Sequence, residues 1–257
     1  MQNLERLTAS WHPSQIAKSL LLVIICLLLW FMPFSHDLCK YIDIEIATWL
    51  NQSLLFSQTW QFLWGYLNHP NETWLNIIFM LAVNVLGIFT IPKTKRVRAA
   101  ALVLYCWLFF QIALLLTHKI FADWIEVQRN SPSLVIQPWI VLSELLNIEN
   151  IKVYSHSSFP AGHVLVLVFW LKFIELYSNR WVQVLAAVTS VMLILPRMIS
   201  GAHWLSDVIF TTFYAVLWFE IAVGTPLFAK AIYLLEKLIL IPIPITTSKV
   251  KHEKRIY

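Results

Sequence analysis

Residues 16–34 read IAKSLLLVIICLLLWFMPF, an apolar run whose only charge, Lys18, lies near its start. As a helix rising about 1.5 Å per residue it is about 28 Å long, close to the ~30 Å hydrocarbon thickness of a bilayer. The run is too long for the apolar core of a signal peptide. It is followed by Phe34-Ser35-His36-Asp37 rather than a small-residue cleavage pattern, so it reads as an uncleaved anchor. The whole chain shares this character: 59% of its 257 residues are hydrophobic and 13% charged, with 13 Trp and 16 Phe. Soluble domains sit near ~45–50% apolar and ~25% charged, which excludes an ordinary cytosolic enzyme, a disordered segment and a secreted disulfide scaffold. Cys26, Cys39 and Cys106 form no C-x-x-C pair, so neither a disulfide framework nor a zinc site is indicated.

Six stretches suit membrane helices: Ile16 to Phe34, Trp74 to Ile91, Ala99 to Thr117, Val164 to Tyr177, Trp181 to Leu195 and Val208 to Phe228. The expected fold is an all-α, integral-membrane bundle of six transmembrane helices in one domain, 1–257, ending in a basic tail, 229–257. Thirteen of the 19 Lys and Arg fall on one face, in the first nineteen residues, the loop Pro92 to Arg98, Arg180 and the tail. The positive-inside rule makes that face, with both termini, cytoplasmic, and accounts for the +5 net charge without a nucleic-acid partner. The opposite, periplasmic face holds Ser35 to Thr73 and His118 to His163, where Trp49, Trp60, Trp64, Trp124 and Trp139 suit short helices in the headgroup layer. Asn71-Glu72-Thr73 fits a glycosylation sequon only at chance level, and Leu238 to Ile241, broken by Pro242 and Pro244, is too short to span.

Polar groups at the ends of apolar spans cost several kcal/mol unless paired or wet, so their positions carry information. Arg129, His163 and the trio Arg197, His203 and Asp207 all fall at the outer ends of spans. His203 and Asp207 are four apart at the start of the sixth span, so on a helix the carboxylate can accept a proton from one imidazole nitrogen and leave the other as nucleophile. Arg197 offers a fork of donors for phosphate. His163 follows Pro160 and Gly162 at a helix start, where free N–H groups and the dipole favour an anion and a second histidine can act as acid. Two arginines, two histidines and a carboxylate, with no carboxylate cage for a metal, describe phosphoryl transfer through a phosphohistidine.

Arg-x5-His-x3-Asp at Arg197, His203 and Asp207, preceded by Pro-x-Gly-His at Pro160, Gly162 and His163 and by Arg129, resembles the three-part signature of the type 2 phosphatidic acid phosphatase (PAP2) superfamily. The resemblance covers Lys119 to Asp207 and implies a six-span helical fold, independence of metal or other cofactors, and a phosphohistidine mechanism. It also implies the roles: His203 the nucleophile, Asp207 its orienter, His163 the acid for the leaving oxygen, Arg129 and Arg197 the phosphate clamps. Gly162 and Ser158 join the implied phosphate site. The family's first motif has Lys, six residues, then Arg-Pro; here Ala122 takes the lysine position and Asn130 that of the proline, leaving Lys119 or Gln128 as substitutes. Ala161 replaces the serine of Pro-Ser-Gly-His, and Pro196 replaces the serine before the second Arg. These departures, with Ser143-Glu144-Leu145-Leu146, are similar to the branch that moves a phosphoryl group from undecaprenyl diphosphate to lipid A 1-phosphate at the periplasmic surface of the inner membrane. The implied partners are those lipids, or another phospholipid, and the membrane itself, with no obligate protein partner.

Plainer readings stand beside these. Arg129 and Arg197 can snorkel to headgroups, Ser157 and Ser158 can simply cap a helix, and His36, His69, His118 and His156 suit a wet interface. Lys172, Glu175 and Glu220 lie within spans on the side away from the outer cluster, where pairing explains them. Hydrolysis of undecaprenyl diphosphate, or lipid binding or transport without catalysis, are the competing functions.

Overall fold

The computed structural model describes residues 12–69 and 72–240, and every regular element among them is helical. Proline opens the first two helices, as its fixed φ and missing N–H suit a first helical turn: α1 (Pro13–Phe31) and α2 (Pro33–Gln52). Met32 between them is extended (φ −73°, ψ 129°), so the first apolar helix stops at Phe31, short of the expected Phe34. A 3-10 turn (Ser53–Leu55) leads to α3 (Gln58–Leu67), capped where the Ser57 hydroxyl accepts from the Trp60 N–H at 3.2 Å. Then follow α4 (Glu72–Phe89), α5 (Lys93–His118) with a π-helical turn (Lys119–Trp124), and the short α6 (Pro132–Val135) and α7 (Leu142–Leu146). Last come α8 (Gly162–Tyr177), α9 (Arg180–Ile199), α10 (Leu205–Val223) and α11 (Pro226–Leu240).

Helices stand at all six expected positions, and four of them, α1, α5 with its π turn, α9 and α10, are long and apolar enough to cross a membrane. The apolar part of α4 runs Asn76–Phe89, and the 16 residues of α8 reach about 24 Å. The last span was expected to continue to Phe228, but α10 ends at Val223 before Gly224. Phe228 belongs to α11, which folds back along α5. There the Phe228 ring meets Tyr105 edge-on at 5.2 Å, and the Tyr105 hydroxyl donates to the Ala222 carbonyl at 2.9 Å. The sequon's Asn71, the first eleven residues and the basic tail from 241 onward lie outside the described residues.

The outer segment 35–73 is not made of short helices alone, since α2 has 20 residues. Trp49 and Trp124 are exposed as interfacial indoles are, whereas Trp64 is only 2% exposed and packs edge-on against Trp60 in a core with Leu54, Leu142 and Ile199. Around α8, Phe169, Trp170, Phe173 and Ile174 are fully enclosed, with Phe169 stacked on Phe109 at 5.8 Å. The Asn84 carbonyl oxygen satisfies both the Trp170 indole N–H (3.0 Å) and the Tyr177 hydroxyl (2.9 Å). Leu21 and Leu28 on α1, Leu108 on α5 and Val188 on α9 point outward, a surface suited to hydrocarbon rather than water. Short turns join α8, α9 and α10, so the start of α8, the end of α9 and the start of α10 share one end of the bundle. The start of α5 and the end of α8 share the other.

Candidate active site

Main-chain bonds stitch three separate stretches together at that first end. Ser158 N–H donates to the Arg129 carbonyl (2.8 Å) and Ser131 N–H to the Ser155 carbonyl (2.9 Å), laying residues 129–131 beside 155–158. The Trp204 indole donates to the Asn130 carbonyl at 2.8 Å, fastening the turn between α9 and α10 to the same place. That turn depends on Gly201, whose φ of +88° disfavours side chains and whose added Cβ would come within 2.4 Å of the Trp139 ring. Beyond it, Ala202 and His203 N–H groups both return to the Arg197 carbonyl, at 2.8 and 3.3 Å.

His203 Nδ1 lies 2.7 Å from the Ser158 carbonyl oxygen. A carbonyl can only accept, so Nδ1 carries the proton and Nε2 presents a lone pair. Asp207 Oδ2 stands 3.9 Å from the same nitrogen, beyond hydrogen-bond reach. The orienting acceptor expected of Asp207 is therefore the Ser158 main chain. Burial holds the His203 pKa well below the ordinary imidazole value, and His163, Arg197 and Lys152 push it the same way against the Ser158 hydrogen bond. The imidazole is thus neutral and nucleophilic near neutral pH. The His163 ring centroid is 4.8 Å from that of His203, and its buried Nε2 has no hydrogen-bond partner. A buried nitrogen without a partner stands beside an imidazole lone pair, two groups able to exchange protons and electron pairs with one phosphate.

Arg129 is engaged differently from a free phosphate clamp. Its guanidinium donates to Asp43 at 2.7 Å, to Ser206 Oγ at 2.9 Å and, by a short contact, to Asp207. Trp30 and Trp204 flank it, with ring centroids 4.1 and 5.2 Å from the guanidinium carbon. Asp207 also accepts from the Trp204 N–H (2.9 Å), and Asp43 from the Ser206 N–H (2.8 Å) and hydroxyl (2.5 Å). Both carboxylates are almost wholly buried. The group joins α1, α2, the 129 loop and α10.

The remaining expected residues fall as follows. Arg197 ends α9 half-buried, and Gly162 opens α8 behind Ala161, whose N–H donates to Thr211 Oγ1 at 3.0 Å. Ser158 is fully buried, its hydroxyl beside Asp207 but in no hydrogen bond of normal geometry. Lys119 is exposed where α5 ends. Lys172 pairs with Glu175, away from the histidines. Two participants were not singled out in the sequence. Asp43 is one, counted only among outer-face acids. Lys152 is the other: its carbonyl is held by Asn68 Nδ2 (2.7 Å) and Ser200 Oγ (2.9 Å), and its charge acts on His203.

Residues 126–227, which contain Arg129, both histidines, Arg197 and Asp207, match the PAP2 superfamily. That stretch is similar to PAP2 superfamily domains. The chain is also 26% identical, over 193 residues, to the lipid A 1-diphosphate synthase of Escherichia coli (strain K12), covering 73% of this chain and 77% of that protein. No solved structure is significantly similar to it. Both histidines lie in the stretch that matches, and the apolar helices are those of a multi-pass membrane protein.

Proposed function

We propose that the chain is a multi-pass inner-membrane lipid phosphotransferase that moves the terminal phosphoryl group of undecaprenyl diphosphate to lipid A 1-phosphate at the periplasmic face. In this reading the bundle spans the membrane six times with both termini cytoplasmic. The observation that carries it is the His203 imidazole, its Nδ1 proton committed to the Ser158 carbonyl so that Nε2 holds the lone pair, beside a His163 ring whose Nε2 has no hydrogen-bond partner. Burial lowers the His163 pKa to about 4, and the negative charge of an entering diphosphate raises it again, so His163 enters the step protonated. Nε2 of His203 attacks the terminal phosphorus, the bond from phosphorus to the bridging oxygen breaks, and His163 gives its proton to that oxygen as undecaprenyl phosphate leaves. A P–OH oxygen of the acceptor phosphate then attacks the phosphohistidine, His163 takes its proton, and the N–P bond breaks, restoring both imidazoles to their starting forms. The acceptor is taken from the resemblance to lipid A 1-diphosphate synthase. An apolar cavity of about 420 Å³ lined by Leu27, Trp30, Phe31, Phe121 and Phe159, reaching Arg129, suits a prenyl chain.

The test incubates purified protein with undecaprenyl diphosphate labelled at its terminal phosphate, with and without lipid A 1-phosphate, in the presence of a chelator. Label in lipid A is the expected result. Free phosphate alone would mean that water replaces the acceptor in a phosphatase of the same mechanism. Label that stays on the donor in every condition would sink the reading.

With Arg129 committed to carboxylates, the phosphate needs other cations, and Arg197 and Lys152 are those whose charge reaches His203. In this reading Lys152 supplies the charge of the lysine missing at Ala122. Lys152→Ala is expected to lower kcat/KM about 10–100-fold, as loss of one electrostatic contact to a transferring phosphoryl group does, whereas Lys119→Ala changes it less than about twofold. Equal effects of the two substitutions would remove Lys152 from the site.

A further inference from the structure

At the end of the bundle opposite the histidines, a cavity of about 410 Å³ opens between the start of α5 and the ends of α8 and α11. Its floor is apolar, with Ile91, Leu102 and Leu176, and its charged lining is Lys95, Arg98 and one acid, Glu236. The helix beginning there is electrostatically inverted. α5 starts Lys93-Thr94-Lys95-Arg96-Val97-Arg98, has no side-chain cap at Pro92 and no acid in its first turn. Free N–H groups and the positive end of a 26-residue helix favour anions, so cations in this turn are unfavourable by roughly 0.3–1 kcal/mol each. The positive-inside bias accounts for their sign but not for a cavity between them.

The cations around the cavity are not all used in the same way. Arg96 turns away, donating to the Phe89 (3.1 Å) and Ile91 (3.3 Å) carbonyls and lying over the Phe89 ring. It closes the end of α4. Arg98 faces the cavity, with its Nε 3.7 Å from Glu236 Oε1, too far for a hydrogen bond, and that buried N–H has no acceptor. An apolar floor, a helix start, two basic side chains and an orphaned guanidinium N–H together match a phosphodiester attached to hydrocarbon.

We infer that this cavity binds an anionic glycerophospholipid of the leaflet away from the catalytic end, its phosphate at the α5 start between Lys95 and Arg98 and its chains along the apolar floor. Basic pockets between membrane helices hold such headgroups. The chain beyond Leu240 offers no anion to the rim, since residues 241–248 are uncharged and 249–257 bring Lys249, Lys251, Lys254 and Arg255 against a single acid, Glu253. The site is independent of the reading of the catalytic end, so either can fail alone.

Native mass spectrometry of the full chain in detergent, titrated with phosphatidylglycerol or with phosphatidylcholine, tests the inference. Phosphatidylglycerol is expected to be retained at tenfold or more lower concentration than phosphatidylcholine. Lys95→Gln with Arg98→Gln is expected to reduce that preference about 10–30-fold, the combined effect of two headgroup charges. Lys95→Gln alone, which leaves the Arg98–Glu236 contact intact, reduces it about fivefold. Undiminished preference in the folded variants overturns the proposal. So does displacement of the lipid by millimolar inorganic phosphate, which would assign a free-anion site, or lipid retention only after removal of residues 241–257, which would make the tail the occupant.

Discussion

His203→Ala is expected to abolish phosphoryl transfer, with kcat falling on the order of 10⁴–10⁶-fold, the scale set by removal of a covalent nucleophile. The fall comes from chemistry rather than from folding. What the protein loses structurally is one hydrogen bond, and the Ser158 carbonyl it leaves unpaired costs about 1–3 kcal/mol. His203→Gln, which retains a donor that can reach that carbonyl, is expected to be as inactive while recovering most of the stability. Two successive in-line displacements each invert phosphorus, so a phosphohistidine predicts net retention when a chiral thiophosphoryl group is transferred. Inversion would falsify the covalent mechanism and leave His203 as a general base, whereas substantial turnover by His203→Ala would remove it from the chemistry altogether.

Much of the catalytic end was legible in the sequence because its residue types are costly in an apolar chain. Arg129, His163, Arg197, His203 and Asp207 stood out against their surroundings, and all five lie within the matched domain. The partners of these residues were less legible. The His203 acceptor is a main-chain carbonyl 45 residues away, and every residue has a carbonyl, so no side-chain pattern marks it. The i,i+4 spacing pointed to Asp207, but α10 begins only at Leu205 and His203 stands in the preceding turn, where helical spacing does not apply. Asp43 is 163 positions from Ser206, and one acid in an amphipathic segment looks like ordinary surface. Helix positions followed from hydropathy, whereas the breaks at Met32 and Gly224 depended on local geometry: a proline opening the next helix in one case, a turn into α11 in the other.

Arg129→Met is expected to destabilise the protein by about 3–5 kcal/mol, the cost of removing one member of a buried ionic group and leaving its partners charged. The arginine side chain is 16% exposed, while Asp43 and Asp207 are 2% and 0%, so water cannot replace the lost donors. A snorkelling arginine would behave differently, since its removal would leave no buried charge and cost less than about 1 kcal/mol. Substitution by Lys keeps the charge but cannot reproduce a planar fork reaching Asp43, Ser206 and Asp207 between two indoles, so Arg129→Lys recovers only part of the loss. Adding Asp43→Asn to Arg129→Met should restore part of the stability, because an amide is cheaper to bury than an unpaired carboxylate, while Asp207 is still left without its arginine. The two substitutions are then strongly non-additive, whereas Asp43→Asn alone is destabilising. Thermal unfolding of the four proteins in one detergent measures this coupling. Simple additivity would mean that Arg129 and Asp43 act independently, and it would return Arg129 to the phosphate site as a clamp.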